Sequence, residues 1–229
     1  MWIIGLTGAI GAGKSTIAKY FHYLGVPVYS ADKDVHFLLK TDEDVQTKIK
    51  VLWPEVFIKE KIDRLKLGEC VLFSPPHLGA LEEILYPKLA ERQKKFLKKN
   101  QMRGAPFVVL DVPLLFEVGL DQYCDCVVLA SAPLFLRKKR VLGRKGMTLK
   151  KFLAFESQQL GDLQRKKGTN FLILCGREKG SILKKIQCIL DNLSKRPPSR
   201  WNGIWPTHFK RSAHAPRSRF RYGNNRIRA

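Results

Sequence analysis

Apolar residues along this chain occur in two textures. Short dense runs lie at 2–6, 26–30, 107–110, 127–130 and 171–175, each bounded by turn-forming or charged residues. Runs this short, rich in Val, Ile and Leu, read as strands buried on both faces. Between them, apolar positions recur every three or four residues, which predicts helices at about 14–24, 34–39, 78–99, 134–143, 149–159 and 179–193. Strands alternating with helices imply right-handed crossovers and a parallel sheet covered on both faces. The pattern has no internal repeat.

Two stretches break the alternation. About 75 residues separate the second and third strands, far more than a crossover loop needs. Leu81, Ile84, Leu85, Leu89 and Phe96 share one helical face there, and Leu65, Leu67, Val71 and Leu72 another, so 31–106 is expected to be a helical insertion facing the sheet across a cleft. The second break is Arg137-Lys138-Lys139-Arg140-Val141-Leu142-Gly143-Arg144-Lys145-Gly146, a basic helix end running into a glycine-punctuated turn. An arginine-bearing flap of this kind, about 137–165, suits a lid that closes over phosphates.

Composition narrows the class. With 229 residues, 45% of them hydrophobic, the chain can bury one α/β core with insertions. No apolar run approaches the roughly 18 residues a membrane span needs, and the amino terminus lacks the charged start of a signal peptide. The five cysteines (Cys70, Cys124, Cys126, Cys175, Cys188) are an odd number without a CxxC pair, which points to free thiols and a cytoplasmic location. The formal net charge of +22 is uneven: from Lys195 onward ten basic residues stand without a single acid. That segment also holds Pro197, Pro198, Pro206 and Pro216 and no apolar period. It is therefore expected to be a disordered basic tail, 195–229, beyond a folded domain at 1–194. Its interleaved aromatics leave two readings open: an extension without a partner, or weak contact with nucleic acid or another anionic surface. The chain is expected to be a monomer or weak oligomer.

The residues that carry chemistry sit directly after the first strand. Gly8-Ala9-Ile10-Gly11-Ala12-Gly13-Lys14-Ser15 fits G-x-x-x-x-G-K-[ST] at every fixed position, with a strand before it and a helix after it. Glycines let backbone N–H groups curl around a polyphosphate, and the helix N-terminus adds its positive dipole end. Gly8, Gly11, Ala12, Gly13, Lys14, Ser15 and Thr16 are thus the candidate ATP cradle. Lys14 reaches the β- and γ-phosphates and the Ser15 hydroxyl is a ligand for Mg²⁺. The five histidines have no ligand or triad spacing.

Leu6-Thr7-Gly8 through Thr16, Leu24-Gly25 with Val28 ahead of Ala31-Asp32, and Arg64 with Leu67, Val71 and Phe73 together resemble the dephospho-CoA kinase family. Its most diagnostic piece is Leu110-Asp111-Val112-Pro113-Leu114-Leu115-Phe116-Glu117, and Arg140, Arg144 and Gln159 continue the pattern. The resemblance spans about residues 1–193. It implies a P-loop kinase fold: about five parallel strands covered by helices, a helical substrate-binding insertion and a small arginine-bearing lid. It also implies transfer of the ATP γ-phosphate to the ribose 3′-hydroxyl of dephospho-coenzyme A, the last step of coenzyme A synthesis, with Mg²⁺. Ser30, His36, Tyr86-Pro87 and Leu174-Cys175-Gly176 depart from the family pattern without removing a group the chemistry requires. From the residues alone, another P-loop small-molecule or nucleoside monophosphate kinase, or a nucleic-acid-associated nucleotide switch, remain alternatives.

Phosphoryl transfer asks the protein to align donor and acceptor and to stabilise charge. Asp32, just past the second strand, is the candidate base and acceptor contact, with a helix N-cap as its bland alternative. Asp34 competes, but two residues along a helix turns it about 200° away. Asp111 reads as the acid that holds Mg²⁺ through water and as a substrate-side group, or else as a turn cap. Arg64 is carried over as a substrate-binding residue. Glu117 is a substrate-side contact or a solvated surface acid. Arg140 is expected at the transferring phosphate and Arg144 on ATP, both projecting from one helix face at i, i+4 spacing, with a solvated basic face as the bland alternative.

Overall fold

A computed structural model describes residues 1–176 and 179–209 of the chain. Five parallel strands form the sheet: β1 (Trp2–Gly8), β2 (Val28–Ser30), β5 (Phe107–Asp111), β6 (Cys126–Ser131) and β7 (Phe171–Leu174), in the order β2-β5-β1-β6-β7. Each coincides with an apolar run read from the sequence. The central strand β1 lies between β5 and β6, with Ile4 opposite Val109 on one side and Cys126 on the other. Every β1 residue is buried, as expected for a strand with neighbours on both edges and helices on both faces.

Two cores flank the sheet. On one face α1 (Lys14–Tyr23) and α9 (Lys179–Ser194) bring Ile17, Phe21, Ile182, Ile186 and Ile189 against Ile4 and Val128. On the other face Ile3, Val108 and Leu110 meet α2 (Ala31–Thr41) and α5 (Pro75–Met102) through Leu38, Leu89 and Leu97. Side-chain alternation along each strand feeds the two cores in turn.

The insertion at 31–106 is mostly helical: α2, α3 (Glu43–Leu52), α4 (Arg64–Leu72) and α5. It also contains a small hairpin, β3 (Phe57–Ile58) with β4 (Lys61–Ile62), that the helical pattern did not announce. Its two turn residues, Lys59 and Glu60, have φ of 48° and 59°, a twist that hairpins need and that glycine or asparagine normally signals. The lid is built from α6 (Leu134–Leu142), α7 (Leu149–Ser157) and α8 (Asp162–Lys167).

The expected disordered tail is corrected over its first part. After α9 the chain turns back, and Trp205 and Phe209 join the core on the insertion side, 3% and 5% exposed. The segment has no helical or strand period: Trp201 and Trp205 pack against each other, ring centres 6.3 Å apart, and Phe209 packs on Tyr86. Residues 210–229 of the expected tail lie outside the described residues. Among the described residues, no helix is long and apolar enough to cross a membrane.

Candidate active site

The loop after β1 and the start of α1 form the floor of a cleft of about 840 Å³. Gly11 and Gly13 have φ of 78° and 103°, and each has a neighbour on the spot a side chain would occupy. A Cβ on Gly11 would lie 2.7 Å from the carbonyl oxygen of Arg137, and one on Gly13 the same distance from the Cβ of Cys175. Glycine is therefore required here both for backbone conformation and for the close approach of lid and sheet. Gly8, Gly11, Ala12, Gly13, Lys14, Ser15 and Thr16 all line the cleft.

Lys14 Nζ donates to Asp111 Oδ1 at the end of β5. Burial pushes the Asp111 carboxyl above its ordinary pKa, and the Lys14 charge opposes that rise. Ser15 and Asp111 together offer hard oxygen donors beside the phosphate loop. Mg²⁺ typically takes one or two protein oxygens and completes its shell with phosphates and water, so this sparse donor set fits it. Among the described residues there is no larger cluster of His, Cys, Asp and Glu suited to a metal.

Asp32 sits in the first turn of α2, which starts at Ala31 directly after β2. It is thus inside the helix and not its N-cap, and it is the only carboxylate among the described residues lining the cleft. Asp34 is held elsewhere. Its two oxygens accept from Arg92 Nε at 2.8 Å and Nη2 at 3.0 Å, a bidentate pair that ties α2 to α5.

Arg140 and Arg144 both line the cleft, but not from one helix face: α6 ends at Leu142, and Arg144 lies in the following turn. Arg140 Nη2 donates to the carbonyl of Cys175 at 2.6 Å and Nη1 to that of Gly11 at 3.3 Å. Its guanidinium therefore bridges the phosphate loop and the turn after β7.

Glu117 is neither a cleft-lining contact nor a solvated acid. It is 7% exposed, and its Oε1 accepts from the backbone N–H of Leu160 at 2.7 Å. The next residue back, Gln159, accepts from the N–H of Ile10 at 3.1 Å. Glu117 thus fixes the connection between α7 and α8, which grips the phosphate loop. Arg64 is exposed and outside the cleft wall, although its charge, after burial, helps lower the pKa of His36 one turn beyond Asp32. Sequence reasoning missed Arg137, whose buried guanidinium pairs with Glu156 and Asp162 and donates to the Ala132 carbonyl. Its only signal was a place in a basic run, shared with the exposed Lys138 and Lys139. Phe209 was missed as well, although it lines the cleft near Tyr86 and Gln93.

The family model for dephospho-CoA kinase matches residues 2–178. The chain belongs to the dephospho-CoA kinase family. Dephospho-CoA kinase of Bartonella quintana is 36% identical over 195 residues, covering 85% of this chain and all of that protein. Among solved structures, TT1252 from Thermus thermophilus is 30% identical with a TM-score of 0.70, over 84% of this chain and 97% of its own. Dephospho-CoA kinase from Campylobacter jejuni shares the fold at a TM-score of 0.61 and 24% identity, over 84% and 97%. The chain is accordingly an ATP-dependent kinase acting on dephospho-coenzyme A.

Proposed function

We propose that Asp32 accepts the proton of the acceptor's ribose 3′-hydroxyl while the phosphate loop, Arg140 and Arg144 hold the γ-phosphate of ATP in line with it. The observation that carries this reading is the position of Asp32 as the single cleft carboxylate among the described residues, with Asp34 engaged by Arg92. A base must stand within hydrogen-bond reach of the proton it takes, and a group locked in a bidentate ion pair is poorly free to do so.

Lys14 lies between Asp111 and the phosphate region of the cleft and supplies positive charge to the β- and γ-phosphates. Arg140, already bonded to the Gly11 carbonyl, brings a second cation to the same loop. Ser15, and Asp111 through water, would hold Mg²⁺, which when bound neutralises phosphate charge. Arg64, beside His36 at the edge of α2, is assigned to an acceptor phosphate. Glu117 acts indirectly, through Leu160 and Gln159, on the shape of the phosphate loop.

Unpaired cysteine usage supports the cytoplasm as the chain's compartment. Contact with RNA or an anionic surface is assigned to the seven basic residues of 210–229. Such contact would weaken steeply with salt.

A coupled assay of ADP release tests the reaction. ADP should appear with dephospho-coenzyme A as acceptor and not with AMP or shikimate. The reverse pattern would remove the acceptor assignment while leaving the nucleotide site intact.

A further inference from the structure

The family match ends at residue 178, yet the chain beyond α9 is built into the cleft. Four anchors hold it. Asp125 Oδ1, just ahead of β6, accepts from the N–H groups of Ser199 and Arg200 at 2.8 and 2.9 Å. Trp201 Nε1 donates to Gln101 Oε1 at 2.8 Å near the C-terminal end of α5. Trp205 Nε1 donates to Gln93 Oε1 at 3.1 Å, its ring packed 5.6 Å from that of Tyr123. Phe209 stands edge-on to Tyr86, ring centres 6.2 Å apart. Gln101, Gln93 and Tyr86 succeed one another back along α5, so the segment follows that helix for roughly 20 Å, at 1.5 Å per residue, from its end toward the cleft.

We infer that residues 199–209 are a strap whose last ring, Phe209, positions the acceptor nucleotide in the kinase reaction. Phe209 lines the same cleft as Asp32 and Lys14, with Tyr86, Leu89 and Gln93 beside it. The acceptor hydroxyl has to meet Asp32, and the base attached to that same ribose must then lie within a few ångströms. On the insertion side of the cleft, where α2 carries Asp32 and Val35, the lining is apolar and aromatic: Leu89 and Tyr86 of α5, with Phe209 edge-on to Tyr86. A flat heteroaromatic base rests well on such a surface. The donor phosphates, by contrast, are served by the glycine loop on the floor and by the arginines of the lid. Gln93, 1% exposed and held by Trp205, keeps the strap and the wall in register. The inference rests on Asp32 as the acceptor-side group.

Kinetics of the full-length chain with Phe209→Ala and Phe209→Trp test it. For Phe209→Ala the KM for dephospho-coenzyme A should rise about tenfold, the effect of losing one base-stacking ring, with kcat and the KM for ATP within about twofold of wild type. Phe209→Trp should restore the acceptor KM. With etheno-adenine dephospho-coenzyme A, it should also quench the base's emission on binding beyond the wild-type level. An unchanged acceptor KM, an equal rise in both KM values, or no added quenching would each overturn the inference. If Phe209→Ala unfolds at assay temperature, Phe209→Leu keeps the apolar volume without the ring, and the same KM split decides. A wild-type chain that fails to phosphorylate dephospho-coenzyme A would instead defeat the underlying acceptor assignment, before any Phe209 variant is compared.

Discussion

Asp32 and Asp34 differ by two positions and by everything the fold does to them. Asp34 is spent on Arg92, whose guanidinium also stacks 4.3 Å from the Phe37 ring. Asp32 faces the cleft. Asp32→Asn keeps the size and removes the basic site, so kcat should fall by about 10²–10⁴-fold while both KM values stay near wild type, read by steady-state kinetics. Asp34→Asn should instead lower thermal stability and leave kcat within severalfold. Lys14→Ala should lower kcat by about 10²–10³-fold in a folded protein, checked by circular dichroism. A different carboxylate, Asp121, lies in the short 3₁₀ turn Leu120–Tyr123, where burial pushes its pKa up to about 6 against an ordinary 3.8. A raised carboxylate pKa means that the folded chain disfavours the charged form. The stability this group contributes is fully present below pH 3.8 and lost as pH rises through about 6. Asp121→Asn should therefore stabilise the fold above pH 6 by on the order of 1 kcal/mol, after allowing for its partial exposure, and do almost nothing at pH 4. Urea titrations at the two pH values check both halves. The phosphate-loop residues were legible because glycine spacing is a local property of the chain. The separation of Asp32 from Asp34 was only half legible: helix geometry says that they diverge, but only Arg92, 58 positions away, says which one is taken.

The lid shows how elements, once placed, are locked by single buried groups. Arg137 is 3% exposed and joins α6 to α7 through Glu156 and to the N-terminus of α8 through Asp162, where Arg165 pairs with the same carboxylate at 2.6 Å. Glu156 and Asp162 keep 23% and 54% of their side-chain surface exposed, so removing Arg137 loses the bridge and its packing and strands no buried charge. Arg137→Ala should cost about 1–2 kcal/mol in unfolding free energy and raise the KM for ATP, because α6, whose Arg137 carbonyl abuts Gly11, loses its ties to α7 and α8. Arg137→Lys should rescue little, since an ammonium cannot span three acceptors as a planar fork does. Denaturant melts and ATP kinetics on both variants check this. The five sheet strands and most helices emerged from periodicity to within a few residues, because both sheet faces are covered and each of those strands lies in a short apolar run, but α3 and α8 did not. The β3–β4 hairpin did not emerge, since Lys59 and Glu60 adopt left-handed backbone without the residues that advertise it. Arg144 was assigned to the helix face of Arg140 because i, i+4 spacing carries no information about where α6 stops.

Across the whole chain, the kinase core was legible and its edge was not. A basic, proline-containing stretch without periodicity has the composition of a disordered end, but composition is silent about rings that dock on distant parts of the chain. Trp201, Trp205 and Phe209 find Gln101, Gln93 and Tyr86, partners separated from them by about a hundred residues or more. The point that binds this strap to the central sheet is Asp125, 7% exposed. Its Oδ2 accepts from the N–H of Ile3 at 2.7 Å in β1, while Oδ1 takes Ser199 and Arg200. One carboxylate thus joins the first strand to the last described segment. Asp125→Ala leaves the Ile3 N–H buried with no acceptor and frees the strap, a loss of about 3 kcal/mol. Asp125→Asn should be nearly as damaging, because an amide turns one of its two faces from acceptor to donor and sets an NH₂ against a backbone N–H. In both variants the strap should become sensitive to proteolysis at 195–209 before the core unfolds. The KM for dephospho-coenzyme A should rise while that for ATP stays within about twofold, since the phosphate loop is held independently by Gln159. Limited proteolysis followed by mass spectrometry, together with the two KM values, separates the outcomes. Cleavage at 195–209 with an unchanged acceptor KM would mean that Asp125 fastens a segment the reaction does not use.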